Sequence, residues 1–275
     1  MAISINTNIG ALSAQKNLST AAGRLSQSFE RLSSGLRVNS SRDDAAGLAI
    51  ASGLTLQIRG ANTASRNVND VISVLQIAEG ALDETTNALQ RMRELAVQAS
   101  SMTLTTTDRT SLNSEFTQLL SEVDRIGKNV QYNGRNLLTG SFNAVQIQVG
   151  VYSGQIVSAT ILSATATGLC SALAGITGDG SQAMSAITIL DNAIASVSTI
   201  RATIGSLQNR FESVVATLAN QVVNTESARS RIMDADIAVE TSNLTRNSIL
   251  QQAAASILAQ ANQAPQVALT LLGGR

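Results

Sequence analysis

The chain has no histidine, no tryptophan, one cysteine, one proline and two lysines among its 275 residues. Each scarcity closes off a class of chemistry. Without histidine there is no Ser–His or Cys–His catalytic pair, no imidazole metal site and no ordinary general base near neutral pH. The lone Cys170 has no partner for an internal disulfide and reads as a small, partly buried apolar residue rather than a reactive thiol. Aromatics make up only 2% of the chain, whereas a compact globular core leans on large rings. Charges balance, 19 basic against 19 acidic. No basic field exists to hold nucleic acid, and weak self-repulsion permits association. No run of about 18 consecutive apolar residues occurs, so no membrane span is expected. The N-terminus lacks the basic start and apolar stretch of a cleavable signal. "GITGDG" (175–180) is not followed by the Lys-Ser/Thr of a phosphate loop. No cofactor, metal or catalytic site is therefore expected.

What remains is a 44% hydrophobic content made mostly of Ala, Leu, Ile and Val, a composition suited to helices packed along their length. Its dominant pattern is apolar residues stepping alternately by three and four, the seam of a coiled coil. Leu18, Ala22, Leu25, Phe29 and Leu32 form one such seam, broken after Gly35 by "VNSSRDDAAG". A second helix is expected from about Asp44 to Ser100, with its seam at Val68, Val71, Leu75, Ala78, Leu82, Thr85, Leu89, Met92 and Ala96. Thr105 and Asp108 have capping-box spacing for a third helix carrying Leu112, Phe116, Leu119, Val123 and Ile126. Asn133-Gly134 marks irregular chain, and the alternating segment Val145–Ile161 predicts one β-hairpin turning at Ser153-Gly154. A long helix from Met184 carries Ile187, Leu190, Ile194 and Val197. After a phase slip near Arg201 its seam continues at Ile204, Leu207, Phe211, Val214 and Leu218. The helix loosens near Arg231–Thr241. A last helix shows Leu250, Ala254, Ile257 and Ala261, widened by Leu258, and is expected to end or kink at Pro265.

That last helix lies in a stretch, Ile249–Gly274, with no charged side chain. A membrane span, a buried helix and a polymerisation surface could each explain it. The several amides between Gln251 and Gln266 weaken the membrane reading, because each would need a partner in hydrocarbon. A terminal helix with a narrow seam cannot bury it alone. The partner is expected to be the other terminus, running antiparallel. The surface left over is expected to meet further copies of the chain, where an unpaired charge would be costly. The acidic clusters "RDDAAG" (42–47) and "DADIAVE" (234–240) read as helix caps and ion partners for Arg31, Arg37, Arg42 or Arg231 rather than as a metal site.

Specific residues now carry a family resemblance. "INTNIGALSAQKNL", "RLSSGLRVNSSRDDAAGLAIA" and "LQRMRELAVQAS" in the first half, with "LQNRFESVVATLANQ", "ESARSRIMDADIAVETSNLTR" and "ILQQAAASILAQANQAPQVALTLL" in the second, resemble bacterial flagellin. The resemblance implies a mainly α fold, a long antiparallel coiled-coil helical rod with one small β-hairpin near 145–161. It further implies an inner domain, D0, from 1–43 plus 238–275, and an outer domain, D1, from 44–237. The implied function is a structural subunit that self-assembles into the secreted, extracellular flagellar filament for motility after type III flagellar export. A flagellin-like hook–filament junction protein is the alternative; a zinc-protease insert and a chemoreceptor rod fit the residues less well. Implied partners are other flagellin subunits, an export chaperone, and cap and hook-junction proteins. Leu89, Gln90, Arg91 and Leu95, with Glu115, match the segment read by Toll-like receptor 5 in the family. Leu18, Leu25, Phe29, Leu32, Leu250, Ile257, Leu258, Leu269, Leu271 and Leu272 are the residues expected to pack in the filament core.

Overall fold

In the computed structural model the described residues form six α-helices, and the three-four stepping runs along the long ones. The structure describes residues 7–171, 173, 175–177 and 180–273, with side chains described as far as 263. Helix α1 spans Ile9–Ser34, α2 Ala45–Ala99, α3 Thr106–Asn129, α4 Ala166–Leu169, α5 Ser181–Met233 and α6 Ile237–Gly273. Polar residues fix several ends. Asn8 caps α1, and Thr105 and Asp108 close the expected capping box on α3. Asp44 Oδ1 accepts the Gly47 N–H at 2.8 Å at the start of α2, and Asp236 Oδ1 accepts the Ala238 N–H at 2.9 Å at the start of α6. Each satisfies a donor that the first helical turn leaves without an intrahelical partner.

Two antiparallel hairpins lie between α3 and α4, one more than the sequence suggested. Strands β3 (Val145–Gln148) and β4 (Ile156–Ala159) pair Val145 with Ala159 and Gln148 with Ile156, within the expected segment. The other joins β1 (Gln131–Tyr132) to β2 (Arg135–Asn136) through Asn133 and Gly134, at φ 49° and 77°. Two consecutive positive φ angles make the tight turn whose twist matches a hairpin. The Asn-Gly read as irregular chain is thus a two-residue turn.

The chain divides into two compact units. One is formed by Met1–Leu56 with Asn224–Arg275, the other by Gln57–Val223. These divisions fall inside α2 and α5, whereas the helices themselves break near the expected domain limits, at 35–44 and 234–236.

In the second unit α2, α3 and α5 share one core, closed by Leu137, Leu138, Phe142, Ile147, Val157 and Ile161 from the hairpin region. The α2 seam is as the sequence suggested: every residue named from Val68 to Ala96 is buried except Val71, which is half-buried. The α5 seam is not. Its inward residues are Ala183, Ala186, Leu190, Ala193, Val197, Ile200, Ile204, Leu207, Phe211, Val214 and Leu218. The three-four stepping runs through without a slip. Ile187 and Ile194 stand half-buried to the side while the alanines beside them take the seam. Small side chains there let the helix approach its neighbours closely. Arg201 marks no change of phase; its guanidinium binds Glu79 at 2.8 Å and Asp83 at 3.1 Å on α2. Near the end of α3, Gly127 is buried where a Cβ would lie 2.8 Å from the Thr165 Cα. That closeness lets the segment before α4 cross the helix.

Among the described helices α5 alone is long and apolar enough to cross a membrane, with a mean hydropathy of 1.4 in its most apolar window. The sequence test had counted only consecutive apolar residues. The inward side chains of α5 line the core just described, and a core helix passes the same length-and-composition test.

The last helix corrects one of the two alternatives expected at Pro265, that the helix ends there. Pro265 neither ends α6 nor marks its boundary, since α6 continues to Gly273.

Candidate assembly surface

In the first unit α1 and α6 pack antiparallel, with Arg31 near Glu240 at one end and Asn8 on Ala261 at the other. Their common seam is narrow and built largely of small or polar residues. On α1 the residues turned inward are Ala14, Leu18, Ala21, Leu25, Ser28 and Leu32; on α6 they are Glu240, Leu244, Asn247, Gln251, Ala254, Leu258 and Ala261. Ala14, Ala21, Ser28, Glu240, Asn247 and Ala254 are the buried ones. The expected stepping had put Ala22 and Phe29 on this face, in place of Ala21 and Ser28. With small residues in the seam two helices can lie close, and a phenyl ring in place of the buried Ser28 would hold them apart.

The large apolar side chains displaced from the seam point outward. Ile9 is 76% exposed, Leu12 69%, Phe29 56%, Ile249 60%, Leu250 46% and Ile257 56%. Of the residues expected to pack in a filament core, Leu18, Leu25, Leu32 and Leu258 are half-buried within the pair, and Phe29, Leu250 and Ile257 lie on its outer faces. Leu269, Leu271 and Leu272 fall outside the described side chains. A groove of about 390 Å³ runs over the pair, lined by Asn17, Thr20, Arg24, Leu250, Ala253 and Ile257. So many exposed branched side chains on two helices exceed the scatter usual on a monomer and mark a surface that binds something.

Polar ties join the two chain segments where the helices break. Leu36 bridges Asp234, the Ala235 N–H donates to the Gly35 carbonyl at 2.9 Å, and Arg37 Nη2 donates to the Ile232 carbonyl at 2.5 Å. Arg31 stands 3.9 Å from both Asp43 and Glu240. The Gln27 amide, then the Ser40 hydroxyl and backbone N–H, hold the Asp43 carboxyl below its ordinary range. These acidic clusters act as caps and ion partners, as their sequence setting suggested. What the sequence did not reveal is that Glu240 is a buried seam residue. Its position seven residues before Asn247 and fourteen before Ala254 is the signal that could have found it.

A second exposed patch lies on α2 and α3. Arg91 donates from Nε to Glu115 at 2.9 Å and from Nη1 to Glu94 at 3.0 Å. These bonds, Glu94's first, raise the Arg91 guanidinium above its ordinary range. In such an exposed setting the pairs add little stability. Gln90, Arg91 and Glu115 are open to solvent, but Leu89 and Leu95 are 0% and 1% exposed and belong to the core. Only the three polar residues of the expected receptor set are presented at the surface. Met92 also is core. Cys170 is buried, and burial pushes its thiol up to about 11, so it is un-ionised near neutral pH.

Comparison with known proteins agrees with this architecture. The family model described as the bacterial flagellin N-terminal helical region matches residues 5–143, and that of the C-terminal helical region matches 187–272. A flagellin of Halalkalibacterium halodurans is 45% identical over 270 residues, covering 98% of this chain and 99% of the relative. Flagellin FlaB2 of Treponema pallidum is 41% identical over 288 residues, covering 98% and 99%. The crystal structure of Bacillus cereus flagellin aligns at a TM-score of 0.50 and 31% identity, covering 60% of this chain and 94% of that one.

Proposed function

The chain belongs to the bacterial flagellin family, and from that premise we infer how it acts as a structural subunit of the flagellar filament. The observation that carries the reading is the division of labour in α1 and α6. Small and polar residues with half-buried leucines join the two helices, and Ile9, Leu12, Phe29, Ile249, Leu250 and Ile257 are left outside for neighbouring copies. Water is expelled from those faces only when copies meet, and the apolar area then buried drives growth. The near-zero net charge leaves little long-range repulsion to oppose it.

We further propose the division into an inner domain, 1–43 with 238–275, and an outer one, 44–237; the helix breaks at 35–44 and 234–236 support it. Export by the flagellar type III route, placement outside the cell, and partnership with an export chaperone, cap and hook-junction proteins are proposals that rest on family membership alone.

The test of the filament reading is seeded growth. Purified chain added to short sheared filament fragments should extend them into long tubes of uniform width, visible by negative-stain electron microscopy. Short capped stubs from a chain that remains helical would instead favour the junction-protein reading.

A receptor role is proposed for the α2–α3 patch. Gln90, Arg91 and Glu115 are the residues a Toll-like receptor 5 ectodomain could touch, held in place from beneath by Leu89 and Leu95. In a reporter-cell assay with monomeric chain, Arg91→Glu should lower potency by about tenfold or more, with helicity unchanged. Silence of the unaltered chain at saturating dose would end this proposal.

A further inference from the structure

Asn8 uses both ends of its side-chain amide. Its Oδ1 accepts the Ala11 N–H at 3.0 Å and so caps α1. Its Nδ2 donates to the Ala261 carbonyl on α6 at 2.6 Å, across 253 residues of sequence. The two partners fix the orientation of the amide, since an N–H requires the oxygen and a carbonyl requires the nitrogen.

The identity of the receiving carbonyl is informative. In a regular α-helix the carbonyl of residue 261 accepts from the N–H of residue 265. Residue 265 is the only proline in the chain, and proline has no N–H. Yet α6 runs on to Gly273. The carbonyl that the proline leaves without its intrahelical donor is the one Asn8 reaches. We infer that Asn8 is a register latch between the chain's two terminal helices, supplying across the pair the hydrogen bond that Pro265 withholds within α6.

The rest of the seam shows why a latch is needed. Its buried positions repeat every seven residues, at Ala14, Ala21 and Ser28 on one helix and at Glu240, Asn247 and Ala254 on the other. Four of these six are Ala or Ser, and small side chains at a constant spacing discriminate poorly between one alignment and the next, a heptad away. Polar contacts at fixed points are what set register in such pairs. Here they stand at opposite ends of the pair: Arg31 with Glu240, and Asn8 with Ala261. A heptad shift would leave the Ala261 carbonyl without the Asn8 donor and move Arg31 from Glu240. It would also change which outward apolar residues stand side by side. Asn suits the task because it both accepts for a cap and donates from NH₂. Ser caps as well but is too short to reach across.

The contact lies within one chain, so the inference stands apart from the filament reading. The test is hydrogen exchange by mass spectrometry on the full chain, free and in seeded filaments, comparing Asn8→Ser in the Pro265 and Pro265→Ala backgrounds. With Pro265 present, Asn8→Ser should speed exchange in peptides covering 250–263 by about fivefold, the effect of one net hydrogen bond. Pro265→Ala restores the N–H at 265 and should shrink that effect to under about twofold. An equal acceleration in both backgrounds would overturn the latch and leave Asn8 a cap only. So would an unchanged rate with Pro265 present, or the absence of protection at 250–263 in both free chain and filament. If no filaments grow, the free chain decides.

Discussion

Ile257→Asp should leave the free chain as helical and as heat-stable as before, and should stop filament growth. Ile257 is 56% exposed on the outer face of α6, so in the single chain the carboxylate stays in water and disturbs no packing. Between copies it would lie against apolar side chains, and of the residues lining the same groove only Arg24 offers a cation. Burying an unpaired charge costs several kcal/mol even after the surroundings relax. A loss of about 3 kcal/mol per subunit raises the critical concentration more than about a hundredfold. Sedimentation of seeded reactions across a concentration series measures it directly. Ile257→Leu should grow normally. Growth of Ile257→Asp at the unaltered chain's critical concentration would show that the outer face of α6 is not an assembly surface.

Ala193→Leu is expected to damage the second unit, although it replaces one good helix former by another. Ala193 is 1% exposed and sits where α5 presses against its neighbours. Added carbons there have no space and must displace a helix or force strained rotamers, at a cost of about 1–3 kcal/mol. For a unit of this size that lowers the melting temperature by roughly 2–12 °C. The neighbouring Ile194→Ala separates this arrangement from a slipped seam. Half-buried Ile194 should cost less than the roughly 2–5 kcal/mol of a fully buried isoleucine. If thermal melts found Ile194→Ala severe and Ala193→Leu harmless, the seam would run through Ile187 and Ile194 after all.

Those two positions also illustrate how far the sequence could be read. On α2 most of the inward residues are large, Val68, Leu75, Leu82, Leu89 and Met92 among them, and their periodicity alone gave the buried face. The capping pair Thr105–Asp108 and the β3–β4 hairpin were legible because local chemistry decides them. The faces of α1, α5 and α6 were misread in part, at Ala22, Phe29, Ile187, Ile194, Leu250 and Ile257, for one shared reason. Where helices approach closely the seam position goes to Ala, Ser or Asn, and a neighbouring Phe29, Ile194 or Ile257 stands out as if it were the seam. Apolar size marks burial only while nothing else competes for the large side chain, and here an outer surface competes. In the same way, "LQRMREL" carried a recognisable order of residues. It could not say that Leu89 and Leu95 face the core while Gln90 and Arg91 face water. Pro265 looked like an end because the donor that relieves it lies at the far end of the chain.

The pairing of α1 with α6 also sets a timetable. A ribosome that has made α1 must still add some two hundred residues before the complementary face exists. Until then Ala14, Ala21 and Ser28 have nothing to close on. A nascent or prematurely terminated chain therefore presents a lone, thin helix, marginal in water by itself. The combined α1–α6 surface that would add to a growing tip is withheld from it. Competence to form the pair therefore waits until α6 has been made, and a fragment that stops before Ile237 lacks it.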